Sequence, residues 1–361
     1  MEDEKQKQIV EMITKIEEKD FGFYFFTLDT KGNPVASVAT IYEHVKGLTD
    51  LGYNAYILHE KDDYHGVGDW LGEEYTNLPH QSIEKQELNL STIDYIIIPE
   101  VFSNVMEQVK SFPCKKIVLA QSYSYMLELL GIGLRWDTNF GFTEVITTSN
   151  VQGDYIKELF PNVTTHVIPP SVPEYFKPTS EMKKPIISIV TREQTDALKL
   201  VKSFYLQYPM YKWITFRELR GLPKEQFAKE LGDSCLAVWV DNPAGFGTFP
   251  VEAIECNTPV IAKIPDLVPE WMQVVSDSQE IELKNNGIWT NNVLSIPTLI
   301  SQFMEVWLED SVPQELMDGI EASKGLYSVE KQHEKISEVY SQLVLNRRTE
   351  LEQLLEKQKT E

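Results

Sequence analysis

Between two apolar runs, Leu236–Val240 and Pro259–Ala262, the chain reads Asp-Asn-Pro-Ala-Gly-Phe-Gly-Thr-Phe-Pro-Val-Glu-Ala-Ile-Glu-Cys, residues 241–256. The pattern is a strand, a glycine turn, a short helix and a second strand. Gly245 and Gly247, with Phe246 between them, permit positive φ and let a ligand approach the backbone. Thr248 suits the helix cap and Pro250 its first turn. Such a turn delivers backbone N–H groups to the positive end of a helix, a place for an anion such as a diphosphate. Glu252 follows on that helix and can hold a hydroxyl. A Gly-x-Gly also serves turns that bind nothing, and a first-turn Glu also serves merely to complement the helix dipole.

Other chemistries find little support. His44, His59, His65, His80, His166 and His333 show no metal-ligand spacing, and no Asp-x-Asp, Gly-x-Ser-x-Gly elbow or Walker loop is present. Neither a metal site nor a prosthetic group is expected. His65, in the glycine-rich 62–72 loop, is the one histidine singled out, with a solvated loop residue the simpler reading. Cys114, Cys235 and Cys256 are too scattered for a disulfide framework or a zinc knuckle and fit a reducing compartment.

These residues must be positioned by the elements around them. From residue 21 onward short continuous apolar strands alternate with helices: strands at about 23–28, 53–58, 95–99, 116–120, 144–148 and 165–168, with helices at 37–51, from 100 to 111, and at 151–160. Five prolines between 169 and 185 read as a linker. Alternation then restarts with strands at 186–190, 211–216, 236–240 and 259–262 and helices at 197–208, 224–230, 250–256, 297–308 and 313–325. Strands of this kind indicate parallel sheets covered on both faces. The expected organisation is an N-terminal amphipathic helix (1–20), a Rossmann-like domain (21–170), a linker (171–185), a second Rossmann-like domain (186–328) and a long C-terminal helix (329–361) whose last fifteen residues project into solvent. The fold class is α/β, two doubly wound domains facing a central cleft, and that cleft is the expected site.

With 33 basic and 55 acidic residues the chain carries a net charge of −22, which disfavours nucleic acid and anionic lipid as partners. No apolar run approaches the roughly 20 residues needed to span a bilayer. The N-terminus lacks the order of a secretory signal, so a cytoplasmic protein is expected. Association through the terminal helices is the expected route to an oligomer.

The run Gly-Phe-Gly-Thr-Phe-Pro-Val-Glu-Ala-Ile-Glu-Cys-Asn-Thr-Pro-Val-Ile-Ala resembles the donor-binding signature of retaining GT-B glycosyltransferases, specifically the sucrose-synthase-like family four. Val167-Ile-Pro-Pro-Ser-Val-Pro-Glu-Tyr-Phe-Lys-Pro178 is similar to that family's interdomain segment, Thr147-Thr-Ser149 to its last N-domain strand, and Leu326-Tyr-Ser-Val-Glu330 to its tail. Together they cover roughly residues 20–340. The resemblance implies a metal-independent hexosyltransferase, of the kind that builds polysaccharides. It would move a sugar from a nucleotide-diphosphate donor to a glycan, lipid-linked or protein acceptor with retention of configuration. It also implies roles: Glu252 on the ribose hydroxyls, the backbone of Gly247 and Thr248 facing the diphosphate, Arg192 neutralising it with Lys199 as a second candidate, and the Gly32-Asn33-Pro34 loop against donor and acceptor. Glu252→Ala is then expected to weaken nucleotide binding while leaving the fold intact.

Two departures point the other way. The family's Glu before Gly-Phe-Gly, which contacts the transferred sugar, is Ala244. Its His at the end of an N-domain strand falls at Ala120-Gln121-Ser122, where Gln121 can donate a hydrogen bond but carries no titrating proton. The alternative is a GT-B-like partner or binding subunit without transfer activity.

Overall fold

The computed structural model describes residues 20–191, 194–240, 245–273 and 285–360. The expected N-terminal helix lies outside them. The first half runs β1 (Gly22–Phe26), α1 (Ala36–Asp50), β2 (Asn54–His59), β3 (His80–Ser82), β4 (Tyr95–Pro99), α2 (Ser103–Val109), β5 (Lys115–Ala120), α3 (Tyr123–Leu129), α4 (Trp136–Phe140), β6 (Glu144–Thr147), α5 (Asn150–Leu159) and β7 (Thr164–Val167). The second runs β8 (Lys184–Val190), α6 (Gln194–Gln207), β9 (Thr215–Glu218), α7 (Lys224–Asp233), β10 (Ser234–Trp239), α8 (Thr248–Glu255), β11 (Val260–Lys263), β12 (Ile288–Thr290), α9 (Ile296–Leu308), α10 (Gln314–Ser323) and α11 (Val329–Thr360).

Two parallel sheets result, ordered β3-β2-β1-β4-β5-β6-β7 and β12-β11-β10-β8-β9. Both reverse direction of growth part-way, between β1 and β4 in the first and between β8 and β10 in the second. The central strands are buried end to end, Tyr95-Ile-Ile-Ile-Pro99 in the first sheet and Ser234-Cys-Leu-Ala-Val-Trp239 in the second. That is why they read as continuous apolar runs rather than alternating ones.

Each sheet carries a core on both faces. In the first half, Phe23, Phe25 and Ile97 meet α1 through Ile41 and Val45 and α11 through Ile336 and Tyr340. The opposite face packs Ile96 and Ile98 against Met106, Met126, Trp136 and Ile156. The C-terminal helix therefore belongs to the core of the first half. Its apolar stripe at Ile336, Val339, Tyr340, Leu343 and Val344 is buried, and the Tyr95 hydroxyl donates to the Leu343 carbonyl at 2.7 Å. In the second half, α8 and α10 cover one face and α6 and α9 the other.

Some local expectations differ from what forms. The strand expected over 211–216 begins later, at Thr215, because Tyr211 anchors a tight turn by stacking on Phe204 with ring centroids 5.9 Å apart. Being at a sheet edge, β9 tolerates Arg217 and Glu218, which hid it. The elements β3, α3, α4 and β12 carried too weak a pattern to be read. The proline-rich segment packs tightly: the Val172 amide donates to the Tyr327 carbonyl at 2.8 Å and Phe176 is buried. The end of α11 stays on the protein as far as Leu351, which is buried, and Glu350, which pairs with Lys115 at 2.8 Å.

Candidate functional site

The carboxyl ends of β1 and β4 face those of β8 and β10 across a cleft of about 860 Å³. Its walls include Thr27 and Glu100 from the first half and Thr191, Trp239 and the 245–249 turn from the second. Both switch points, where strand order reverses and an α/β sheet leaves a crevice, therefore open on one space.

The glycine turn is fixed by its surroundings. Gly247 is left-handed, at φ +76°, and a Cβ there would lie 2.7 Å from the Trp239 ring and 3.2 Å from that of Trp271. The Trp271 indole N–H donates to the Phe246 carbonyl at 2.7 Å. Gly247 caps α8 and offers no side chain to its first turn. Among the described residues, no backbone carbonyl outside the helix takes the amides of Gly247, Thr248 or Phe249. Those N–H groups thus stand at the positive end of a helix on the cleft wall. The first departure from expectation is here: Thr248 is the first helical residue rather than the cap, because only glycine suits the left-handed cap position.

Glu252, one turn further, is only 3 % exposed and lines the cleft. Its carboxylate is ion-paired with the Lys224 ammonium from α7. Lys224 also lies 5.4 Å over the Phe176 ring, and its amide donates at 2.8 Å to the Trp70 carbonyl in the first half. Burial works against the Lys224 charge, but Glu252 and Glu43 hold its pKa above the ordinary value. Glu43, from α1, is the third member. Burial raises its pKa, against the pull of Lys224 and of the Gln332 amide, which donates to it at 3.2 Å. Sequence reasoning named Glu252 but missed Lys224 and Glu43, since residues 43, 224 and 252 share no motif. The pair bears on the expectation that Glu252→Ala leaves the fold intact, because that change strands a buried ammonium.

The remaining candidates scatter. Gln121 lines the cleft, with its side-chain amide donating to the Ser37 carbonyl at 3.0 Å. Its own carbonyl is the closest neighbour of Gly245, where an added Cβ would come within 1.8 Å. Gly32 sits in an open turn at φ +78°; Asp29, Thr30, Pro34 and Val35 of that loop line the cleft. Lys199 pairs with Asp196 at 3.0 Å on an exposed face of α6, away from the cleft lining. Arg192 and Ala244 lie outside the described residues. A described cation at the end of β8 is Arg220, which donates to the Thr191 carbonyl at 3.0 Å and to Glu218 at 2.8 Å. His65 pairs loosely with Asp29 at 3.6 Å. Among the described residues no group of three or more metal-ligating side chains gathers.

Several contacts tie the halves together across the cleft. Besides Gly245 on Gln121 and Lys224 on Trp70, the Glu270 carboxylate accepts the first amides of α5, those of Asn150 and Val151, and the Tyr123 hydroxyl donates to Asp266 at 3.1 Å.

No family model matches the sequence. Over 224 residues, 61 % of the chain, it is 22 % identical to an alpha-1,6-glucosyltransferase of Actinobacillus pleuropneumoniae serotype 7 (strain AP76). That match spans 66 % of the enzyme, just under two thirds of its length. Among solved structures, sucrose-phosphate synthase from Thermosynechococcus elongatus superposes with a TM-score of 0.62 at 12 % identity, covering 90 % of this chain and 99 % of that one. The pneumococcal O-GlcNAc transferase GtfA, solved with UDP and GlcNAc, gives 0.62 at 10 %, over 90 % and 99 % of the two chains. Anabaena Alr3699/HepE, solved with UDP and glucose, gives 0.61 at 14 %, over 89 % and 100 %. The chain has the GT-B fold.

The cleft lies between the two halves of this fold. Here that space offers an uncapped helix start, two described cations in Arg220 and Lys224, and hydrogen-bonding groups from both walls. Such an arrangement suits an elongated ligand with an anionic middle and polar ends. No helix among the described residues is long and apolar enough to cross a membrane.

Proposed function

We propose that this protein is a glycosyltransferase that moves a sugar from a nucleotide-diphosphate donor to a glycan, lipid-linked or protein acceptor, with retention of configuration and without a metal. The observation that carries the reading is the open N-terminus of α8, presented on the cleft wall by Gly245–Thr248 where both switch points meet. The relative that acts as an alpha-1,6-glucosyltransferase, and the GT-B neighbours solved with UDP, support it.

On this reading the diphosphate rests on the amides of Gly247 and Thr248, with Arg192 opposite on sequence grounds. The anomeric C–O bond breaks, its electron pair passing to the diphosphate oxygen. The acceptor oxygen bonds to the same face of the sugar and its proton leaves to the departing phosphate. The helix start and the cations stabilise charge where it develops. Glu252 is no nucleophile: it is buried and paired with Lys224, and its part is to hold ribose hydroxyls in exchange for that ammonium. A cytoplasmic location fits this donor chemistry and belongs to the same proposal.

A second reading is a GT-B partner or binding subunit without transfer activity. It is favoured by Ala244 and Gln121 standing where the family places Glu and His, and by Lys224 already occupying Glu252. Calorimetric titration with UDP, ADP and GDP, followed by donor hydrolysis assays, separates the two. Binding with turnover supports transfer; binding without turnover across acceptors supports the second reading; no binding removes the transfer reading. Glu252→Gln, which keeps a hydrogen bond for Lys224, is expected to weaken binding of the nucleoside diphosphate roughly tenfold. Unchanged affinity would place the ribose elsewhere.

A further inference from the structure

The cleft contains a second buried carboxyl, separate from the donor-binding segment. Glu100 follows β4 at the switch point of the first sheet, lines the cleft and is 3 % exposed. Its Oε1 accepts the Ser122 amide at 2.8 Å. Burial pushes its pKa up to about 7 although backbone amides of Gln121, Glu100 and Ser122 pull the other way. A buried carboxyl on the cleft wall, its charge opposed by burial, gains from a hydrogen-bond donor that enters the cleft.

Its position decides what that is. Ser122 follows Gln121, and the Gln121 carbonyl is the surface on which Gly245 rests. The same glycine turn leads to the start of α8. A group joined to an anion at that helix start and directed to the first half therefore meets the ends of β4 and β5. Of the other described charged side chains on the cleft wall, Lys224 and Glu252 hold each other, Arg220 holds Glu218, and Asp29 takes the Lys31 amide at 3.0 Å. Gln121 spends its amide N–H on Ser37. Among the described carboxyls of the cleft wall, Glu100 is the one without an ion pair to a described residue.

We propose that Glu100 binds the sugar of the donor, its carboxyl accepting a hydrogen bond from a sugar hydroxyl, and thereby selects which nucleotide sugar the cleft takes. This rests on the donor-binding reading above and names the residue that recognises the group beyond the diphosphate.

Calorimetric titration of the full chain tests it, with UDP, ADP and GDP compared against UDP-glucose, UDP-galactose, UDP-GlcNAc, ADP-glucose and GDP-mannose. In wild type, one of these sugars adds affinity over its bare nucleotide. Glu100→Gln keeps a carbonyl for the Ser122 amide and replaces the other oxygen by NH₂. It is expected to leave affinity for the bare nucleotide within about twofold while lowering that for the nucleotide sugar roughly tenfold. Glu100→Asp, which keeps the charge but withdraws it, is expected to show the same selective loss. Equal affinity of wild type and both variants for the nucleotide sugar overturns the proposal, as does a loss shared equally by nucleotide and nucleotide sugar, which marks a packing role. Failure of all three nucleotides to bind wild type overturns the donor-binding reading itself, and this proposal with it.

Discussion

At the scale of the residue, the cleft spends stability on ionisable groups. Glu100 titrates near pH 7 in the folded protein instead of near the ordinary carboxyl value of 4.5. A carboxyl whose folded pKa is raised destabilises the native state as pH climbs from its unfolded pKa through its folded one, and the penalty is complete above the latter. Glu100→Gln is therefore expected to raise stability by roughly 1–3 kcal/mol at pH 8 and by much less at pH 4.5, read from urea unfolding at both pH values. An equal effect at both pH values would mean that the charge is not what costs. Glu252 is held by a partner instead. Glu252→Ala removes the partner of a buried ammonium and is expected to cost roughly 3 kcal/mol, more than Glu252→Gln, in the same assay.

At the scale of the element, the β10–α8 unit depends on one backbone conformation. Gly247 must be left-handed to turn the chain from the strand into the helix, and it lies flat against Trp239 and Trp271. Gly247→Ala meets both objections, about 1–2 kcal/mol of left-handed strain and a ring in the way. The expected result is a loss of roughly 2 kcal/mol in urea unfolding followed by tryptophan fluorescence, together with loss of nucleoside diphosphate binding. A stable variant that binds normally would show that the turn relaxes elsewhere. The helix itself was legible because Val251, Ala253 and Ile254 point into the core and Pro250 suits a first turn. The strand β3 was not, because His80, Gln81 and Ser82 are recruited at the sheet edge by pairing with β2.

At the scale of the whole molecule, the two halves meet through a contact with no room for a side chain. The position of a Cβ on Gly245 falls 1.8 Å from the Gln121 carbonyl oxygen, a backbone atom that cannot swing aside. Gly245→Ala is expected to hold the halves apart, seen as a larger radius of gyration in small-angle scattering, with little change in thermal stability because both cores are untouched. Identical scattering would show that Glu270 on α5 and Tyr123 on Asp266 set the spacing instead. On the proposed donor-binding reading, closure of this kind also keeps water from hydrolysing the donor.

The architecture was written in local patterns. Continuous apolar strands alternating with amphipathic helices specify covered parallel sheets, and a glycine turn between strand and helix specifies where an anion is welcome. These signals sit within a few residues of each other, so the chain order alone carries them. What tertiary structure decided is which distant residues share the cleft. Lys224 claims Glu252, Glu43 and Gln332 join them from the first half and the last helix, and Glu100 stands buried beside the carbonyl that Gly245 touches. No periodicity links these positions. They become neighbours only when two sheets face each other, and burial there, rather than residue type, sets which charges are paired.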